Sequence, residues 1–218
     1  MQKKQAAIFD LDGTLAPTMD VLKHYFMQRV QELLKREVTH QEFAQVYHFD
    51  LLTFLERLGM TDRVQAALLE KELRDLEAKQ ANCEFFNGIV DLILDLQKAN
   101  FDLYLWTLRF QQSALQMLEH NGVHTSFLDF HCGDHDDPKP SPSGLKDKFL
   151  YDYKNIFMIG DTVTDILGGK NLGATTLAVT WAKTNPKDML VQAGADYIFD
   201  DVHALRTYLL GLGEQKNV

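Results

Sequence analysis

The stretch Ala6-Ala7-Ile8-Phe9-Asp10-Leu11-Asp12-Gly13-Thr14-Leu15 constrains the fold of this chain more than any other. A short apolar run ends abruptly in two carboxylates one residue apart, then a glycine and a hydroxyl. That is the pattern of a buried strand delivering acids to the edge of a sheet. In extended backbone Asp10 and Asp12 point to the same side, so both reach one small volume above the sheet, and Gly13 lets the chain turn away sharply. Two carboxylates that close repel one another. A divalent cation is the usual compensation, and a hard, oxygen-seeking Mg²⁺ suits carboxylate and carbonyl ligands.

Residues 17 to about 82 differ from what flanks them. Met19, Leu22, Tyr25, Phe26, Arg29, Val30, Leu33 and Leu34 fall mostly on one helical face, and Thr39-His40-Gln41-Glu42 reads as a capping box that opens a second helix. Asp50 caps a helix over Leu51 to Leu58 stopped by Gly59, and Thr61 or Asp62 starts a long one reaching about Lys79. From Phe85 strands and helices alternate. Helices are expected at Ile89 to Ala99 and Gln111 to Glu119, and strands at Phe101 to Thr107, Phe127 to His131, Asn155 to Ile159, Thr175 to Val179 and Tyr197 to Phe199. This rhythm predicts an α/β fold: a Rossmann-like, doubly wound parallel sheet with ligands beyond the carboxyl ends of its strands, and a helical unit inserted after the first strand.

A chain of 218 residues suffices for one substantial core and a smaller second unit. The net charge of −9, without clustered Lys and Arg, argues against nucleic acid or an anionic membrane as partner. No apolar stretch is long enough to span a bilayer. Cys83 and Cys132 lack metal-ligand spacing and are expected as free thiols in a reducing compartment. The first core strand begins too early to leave room for a signal peptide, so the expected location is cytoplasmic by default. The sequence leaves the oligomeric state open.

Three further pieces follow the first: a hydroxyl at the end of an apolar run (Leu103-Tyr104-Leu105-Trp106-Thr107), a lysine between prolines (Pro138-Lys139-Pro140), and a third acidic strand end (Phe157 to Asp165, with Gly160-Asp161). In that order and spacing the four resemble the haloacid dehalogenase superfamily, over residues 6 to 16 and 86 to 200. The resemblance implies a core domain of residues 1–16 and 86–218, with residues 17–85 as a helical cap, most similar to the phosphoglycolate phosphatase-like branch. It implies a Mg²⁺-dependent phosphatase that hydrolyses a small-molecule phosphate ester through an aspartyl phosphate.

In that reading Asp10 is the nucleophile, splitting a very slow hydrolysis into two easier displacements. Asp12 is the general acid and base, and its presence argues for phosphoryl chemistry over carbon–halogen cleavage. By resemblance its backbone carbonyl also ligates the metal. Thr107 holds a phosphoryl oxygen, and Lys139 neutralises charge on Asp10 and on the transferring group. Asp10 and Asp161 are direct metal ligands, while Asp165 either binds the metal through water or orients Lys139. Thr14 supports the loop by hydrogen bonding. Ser141 and Ser143 are candidate caps for the next helix, and Asp134 to Asp137 read as a solvated loop.

The chain departs from the family after Thr107, where many relatives carry asparagine. Leu108 offers only its N–H to a substrate, and Arg109 either clamps a phosphate or lies on the surface. Pro17 and Thr18 stand where relatives have an acid and a serine. A sugar-phosphate mutase is the alternative enzyme, disfavoured because Leu22 occupies the position of the mutase cap histidine and His24 lies two places along. The other alternative is a catalytically silent phosphate- or partner-binding module.

Overall fold

The computed structural model describes residues 4–39, 42, 46, 50–145 and 153–214. β1 (Lys4–Phe9) is buried on both faces from Gln5 onward, which is why it reads as a continuous apolar run instead of an alternating one. With β2 (Phe101–Trp106), β3 (Phe127–His131), β4 (Tyr153–Gly160), β5 (Thr175–Val179) and β6 (Tyr197–Phe199) it forms a sheet of order β3-β2-β1-β4-β5-β6. Every described pairing is parallel. The expected α/β doubly wound sheet is present. The chain runs outward from β1 to β2 and β3, then returns to place β4 on the other side of β1. Connections on either flank thus diverge between β1 and β4, and such a switch point leaves a crevice at the carboxyl ends of the strands.

Alternate residues of β1 build different layers. Ala7 and Phe9 pack with α4 (Ile89–Lys98) and α5 (Gln111–His120), and the same cluster takes in Leu205 and Leu209 of α8 (Val202–Glu214). Ala6 and Ile8 join Trp106, Met158 and Leu145 on the opposite face. In α4 the buried residues Ile89, Leu92, Ile93 and Leu96 form one stripe at helical spacing. α6 (Val163–Leu172) ends at Gly173 in left-handed backbone, the stop its sequence position suggests, and α7 (Lys187–Gln192) completes the described α-helices of the core.

Between β1 and β2 lie α1 (Met19–Leu34), α2 (Leu51–Arg57) and α3 (Arg63–Lys79). They have their own apolar cluster, which includes Met27, Val30, Phe54, Leu55, Leu58 and Leu69 and is separate from the core beneath the sheet. Asp50 accepts from the Thr53 N–H at 2.7 Å, and Asp62, not Thr61, caps α3 through Val64 and Gln65. The Glu42 N–H donates to Thr39 Oγ1 at 3.1 Å, as a capping box requires, but most of the helix expected there lies outside the described residues. The chain leaves and re-enters the core side by side, since Phe86 N–H donates to Leu15 O at 2.9 Å. Among the described residues, no helix is long and apolar enough to cross a membrane.

Candidate active site

The sheet register builds the site. Phe9 is level with Leu105 of β2 and Ile159 of β4, and the Asp10 N–H donates to Ile159 O at 2.9 Å. Asp10, Thr107 and Asp161 therefore leave three adjacent strands within one residue of the same level, on the crevice side of the switch point. Lys139 arrives from the loop after β3, whose Lys139–Pro140 peptide is cis. Asp165 arrives from the first turn of α6, where it closes a capping box with Thr162.

Lys139 Nζ lies 2.5 Å from Asp10 Oδ1 and 2.5 Å from Asp165 Oδ1. Its ammonium is buried, as are both carboxylates. Asp165 Oδ2 accepts from the Thr162 N–H at 2.9 Å and from its hydroxyl at 2.7 Å. Both Asp165 oxygens are thus committed to protein donors, and of the two expectations for this residue the geometry matches the orienting of Lys139. A Cβ on Gly160 would stand 2.3 Å from the Asp165 Cβ, so only glycine lets α6 bring Asp165 this close to β4.

Asp10, Asp161 and Asp165 each place a carboxylate oxygen within 4.8 Å of the others, and all three are buried. Three carboxylates against one ammonium leave an excess of two negative charges if all are ionised. Burial and the charge of Asp165 push the Asp10 carboxyl well above the usual range, with Lys139 opposing. Burial and Asp165 likewise push Asp161 up to about 7. Burial alone would lower Lys139, but the charges of Asp10 and Asp165 outweigh it and hold this lysine above its ordinary value.

Those shifts describe a pocket short of positive charge. Thr14 Oγ1 donates to Asp161 Oδ1 at 3.0 Å, while Asp161 Oδ2 is buried with no hydrogen-bond partner among the described residues. An orphaned carboxylate oxygen beside two more acids, all hard oxygen donors, fits a Mg²⁺-sized cation. Gly13 makes room for it in backbone of φ +85°, where a Cβ would fall 2.2 Å from Asp161 Oδ2. The loop after β5 closes the rear: Trp181 Nε1 donates to Thr14 O at 3.0 Å and Asn185 Nδ2 to Asp161 O at 3.2 Å.

Asp12 is placed differently from Asp10. It lies outside the three-acid group, and its carboxylate faces Arg109, whose Nε lies 3.0 Å from both oxygens and whose Nη2 lies 2.6 Å from Oδ1. The Thr18 hydroxyl donates to the same Oδ1. Arg109 is only 1% exposed, which overturns the surface alternative of its two expected placements. Its remaining donors go to Glu77 O (2.9 Å), Ser113 Oγ (2.8 Å) and Gln80 Oε1 (3.4 Å). All five N–H bonds are engaged by protein acceptors, so in this arrangement none is free to clamp a phosphate. Thr107 Oγ1 accepts from the Arg109 N–H at 3.1 Å, which leaves the hydroxyl proton for another acceptor. Leu108 is half-buried. Asp134 does more than sit in solvent, since its Oδ1 accepts the Gln111 N–H at the start of α5.

Sequence reasoning did not single out Glu77, Gln80, Ser113, Trp181 or Asn185. Ser113 lies one helical turn beyond Arg109, and the others meet their partners in the site from 24 to 167 positions away in the chain, where no local pattern marks them. Thr18 was visible only as a departure from the family, without its bond to Asp12.

The chain matches the family model of haloacid dehalogenase-like hydrolases over residues 7–179. It is 23% identical over 197 residues to a phosphoglycolate phosphatase from Synechococcus elongatus, covering 90% of this chain and 92% of the relative. To an N-acetylmuramic acid 6-phosphate phosphatase from Pseudomonas putida it is 26% identical, covering 93% and 94%. A predicted phosphatase from Clostridium acetobutylicum superposes with a TM-score of 0.76 at 22% identity, over 96% of this chain and all of that one. Its sheet, its four motifs and the span of the match together place the chain among the haloacid dehalogenase-like hydrolases, in their phosphoglycolate phosphatase-like branch.

Proposed function

We propose that this haloacid dehalogenase-like phosphatase hydrolyses a small-molecule phosphate monoester through a phospho-Asp10 intermediate, with residues 17–85 acting as a cap over the site. The observation that carries the reading is the buried group of Asp10, Lys139, Asp165 and Asp161 at the switch point, one cation short of balance. Asp10 and Asp161, with the backbone carbonyl of Asp12, would hold Mg²⁺. When bound it would offset carboxylate repulsion and the charge of the phosphoryl group.

The residues divide the work. An Asp10 carboxylate oxygen attacks phosphorus in line with the ester oxygen, forming a P–O bond to Asp10 as the bond to the leaving group breaks. Asp12 gives the leaving oxygen its proton, then takes one from the water that cleaves the acyl phosphate, and Asp10 is regenerated with inorganic phosphate. Lys139 keeps Asp10 oriented and meets the charge on the transferring oxygens, and Thr107 donates its hydroxyl proton to one of them. The cap excludes bulk water and selects the leaving group. Relatives of comparable identity are named for substrates as different as phosphoglycolate and N-acetylmuramic acid 6-phosphate, so the class proposed is small phosphate monoesters.

A panel of phosphate monoesters assayed with and without Mg²⁺ tests the reading. Wild-type protein should release phosphate only with the metal, and acid quenching should trap phosphorylated Asp10. Asp10→Asn should lower kcat by about 10³-fold or more. Wild-type rates from freshly prepared Asp10→Asn, its asparagine verified by mass spectrometry, would remove Asp10 from the mechanism.

A further inference from the structure

A general acid works only if its carboxyl is aimed at the departing oxygen, and a misplacement of about 1 Å costs up to about 10²-fold. What aims Asp12 is therefore a functional question. Two described side chains hold its carboxylate, Thr18 and Arg109, and the Arg109 guanidinium is completely buried. Thr18 belongs to the same loop as Asp12. Arg109 comes from the segment after β2 and binds, with its other donors, the end of α3 and the chain just beyond it, at Glu77 O and Gln80 Oε1.

That junction is tied down at several points. Glu77 Oε2 accepts the Phe110 N–H at 3.2 Å, the Arg74 guanidinium carbon stands 4.0 Å over the Phe110 ring, and Gln80 Nε2 donates to Thr18 O at 3.4 Å. Ser113 Oγ donates to Glu77 O at 2.9 Å as well as accepting from Arg109. The last turn of α3 thus rests on Arg109 and its neighbours, and Arg109 rests on Asp12. A lysine could not make the same bridge, because one compact ammonium cannot fork onto a carboxylate while reaching a carbonyl and an amide behind it.

We infer that Arg109 is a positioning residue for Asp12, and that through Glu77 and Gln80 it makes the aim of Asp12 depend on where the end of α3 sits. The inference rests on the phosphatase reading above. A shift of α3 against β2 draws the guanidinium, and with it the carboxylate, toward or away from the Asp10 side of the crevice.

The test compares two esters in single-turnover phosphorylation of Asp10: p-nitrophenyl phosphate, whose leaving group needs no proton, and an alkyl phosphate that wild-type protein hydrolyses. Arg109→Met should slow the alkyl ester by about 10- to 100-fold, with KM within about twofold, and p-nitrophenyl phosphate by much less. In an Asp12→Asn background the same substitution should add nothing. Arg109→Lys covers the case in which the methionine variant does not fold, and should show the same bias between esters. Gln80→Leu, which removes the contact behind Arg109 together with the bond to Thr18 O, should show it at smaller amplitude.

A rise in KM on both esters with intact kcat would make Arg109 a phosphate clamp and overturn the inference. Equal losses on both esters, or losses that add to those of Asp12→Asn, would make its role structural and do the same. An unchanged ester ratio in Gln80→Leu would sever the link to α3. Wild-type protein inert on both esters is a different failure, one of the phosphatase reading itself.

Discussion

Removing the Lys139 ammonium while keeping its length, as in Lys139→Met, tests the electrostatic account of the site most directly. Lys139 is 2% exposed on its side chain, against 7% for Asp10 and 0% for Asp165, so water screens none of these groups well. Without the lysine the charge of the group goes from minus two to minus three. At 4.8 Å, the outer limit of the spacing among the three acids, each ionised pair repels by about 3–4 kcal/mol for an effective dielectric near 20. Breaking a buried pair by removing one partner costs about 3–5 kcal/mol, a large share of the 5–15 kcal/mol typical of whole domains.

The protein can escape part of that cost by protonating its acids, which fixes the pH dependence. Asp10 already lies well above its ordinary value and Asp161 near 7, so the folded state binds protons that the unfolded state, with carboxylates near 4, has released. Over the window from about 4 up to these raised values stability falls as pH rises. The variant should therefore lose about 3–5 kcal/mol at pH 8 in EDTA, a Tm drop of about 6–20 °C at this size, and distinctly less at pH 5. Mg²⁺ should restore part of the loss at pH 8. Urea and thermal unfolding at the two pH values read this out. A loss below about 1 kcal/mol at pH 8, equal to that at pH 5, would show that the carboxylates are solvated and the argument wrong.

Gly13→Ala puts a methyl group 2.2 Å from Asp161 Oδ2 in backbone of φ +85°. The left-handed conformation alone costs about 1–2 kcal/mol, and displacing Asp161 should cut Mg²⁺ affinity at least about tenfold by calorimetric titration; wild-type affinity would contradict the placement of the cation. Glu77, pushed up to about 7 by burial and then by the charge of Asp12, binds its proton more tightly folded than unfolded. It should therefore lower stability by roughly 2–3 kcal/mol as pH rises from about 4.5 to 7. Glu77→Gln should flatten that part of the Tm–pH curve, and a curve of unchanged slope would mean that the half-buried Glu77 carboxyl is not desolvated beside Phe110.

The sheet was legible because the inner strands of a parallel α/β core are buried on both faces and its strands end where the carboxyl edge opens to ligand. Phe127–His131, Thr175–Val179 and Tyr197–Phe199 fall where the apolar runs place them. β4 begins two residues before the expected Asn155, and α3 begins at the second of its two candidate caps. Thr14 was legible as a loop support, though its hydroxyl goes to Asp161 and not to its own turn. The helices α1, α2 and α3 were legible as well, because their apolar residues form a cluster of their own.

By itself the sequence determined which residues follow the strand ends: Asp10, Thr107 and Asp161 are fixed at the carboxyl edge of the sheet by chain geometry. Only the tertiary structure decided what Arg109 faces. An isolated Thr107-Leu108-Arg109 segment is compatible with a surface cation, a phosphate clamp or a buried partner. Whether a charge is buried depends on what stands opposite, and here that is Asp12, 97 positions back along the chain, and the end of α3, 32 back. Local spacing carries the fold because backbone periodicity is local. Desolvation and pairing of charge are not local, so they were settled only when α3, the loop after β2 and the Asp12 turn came together.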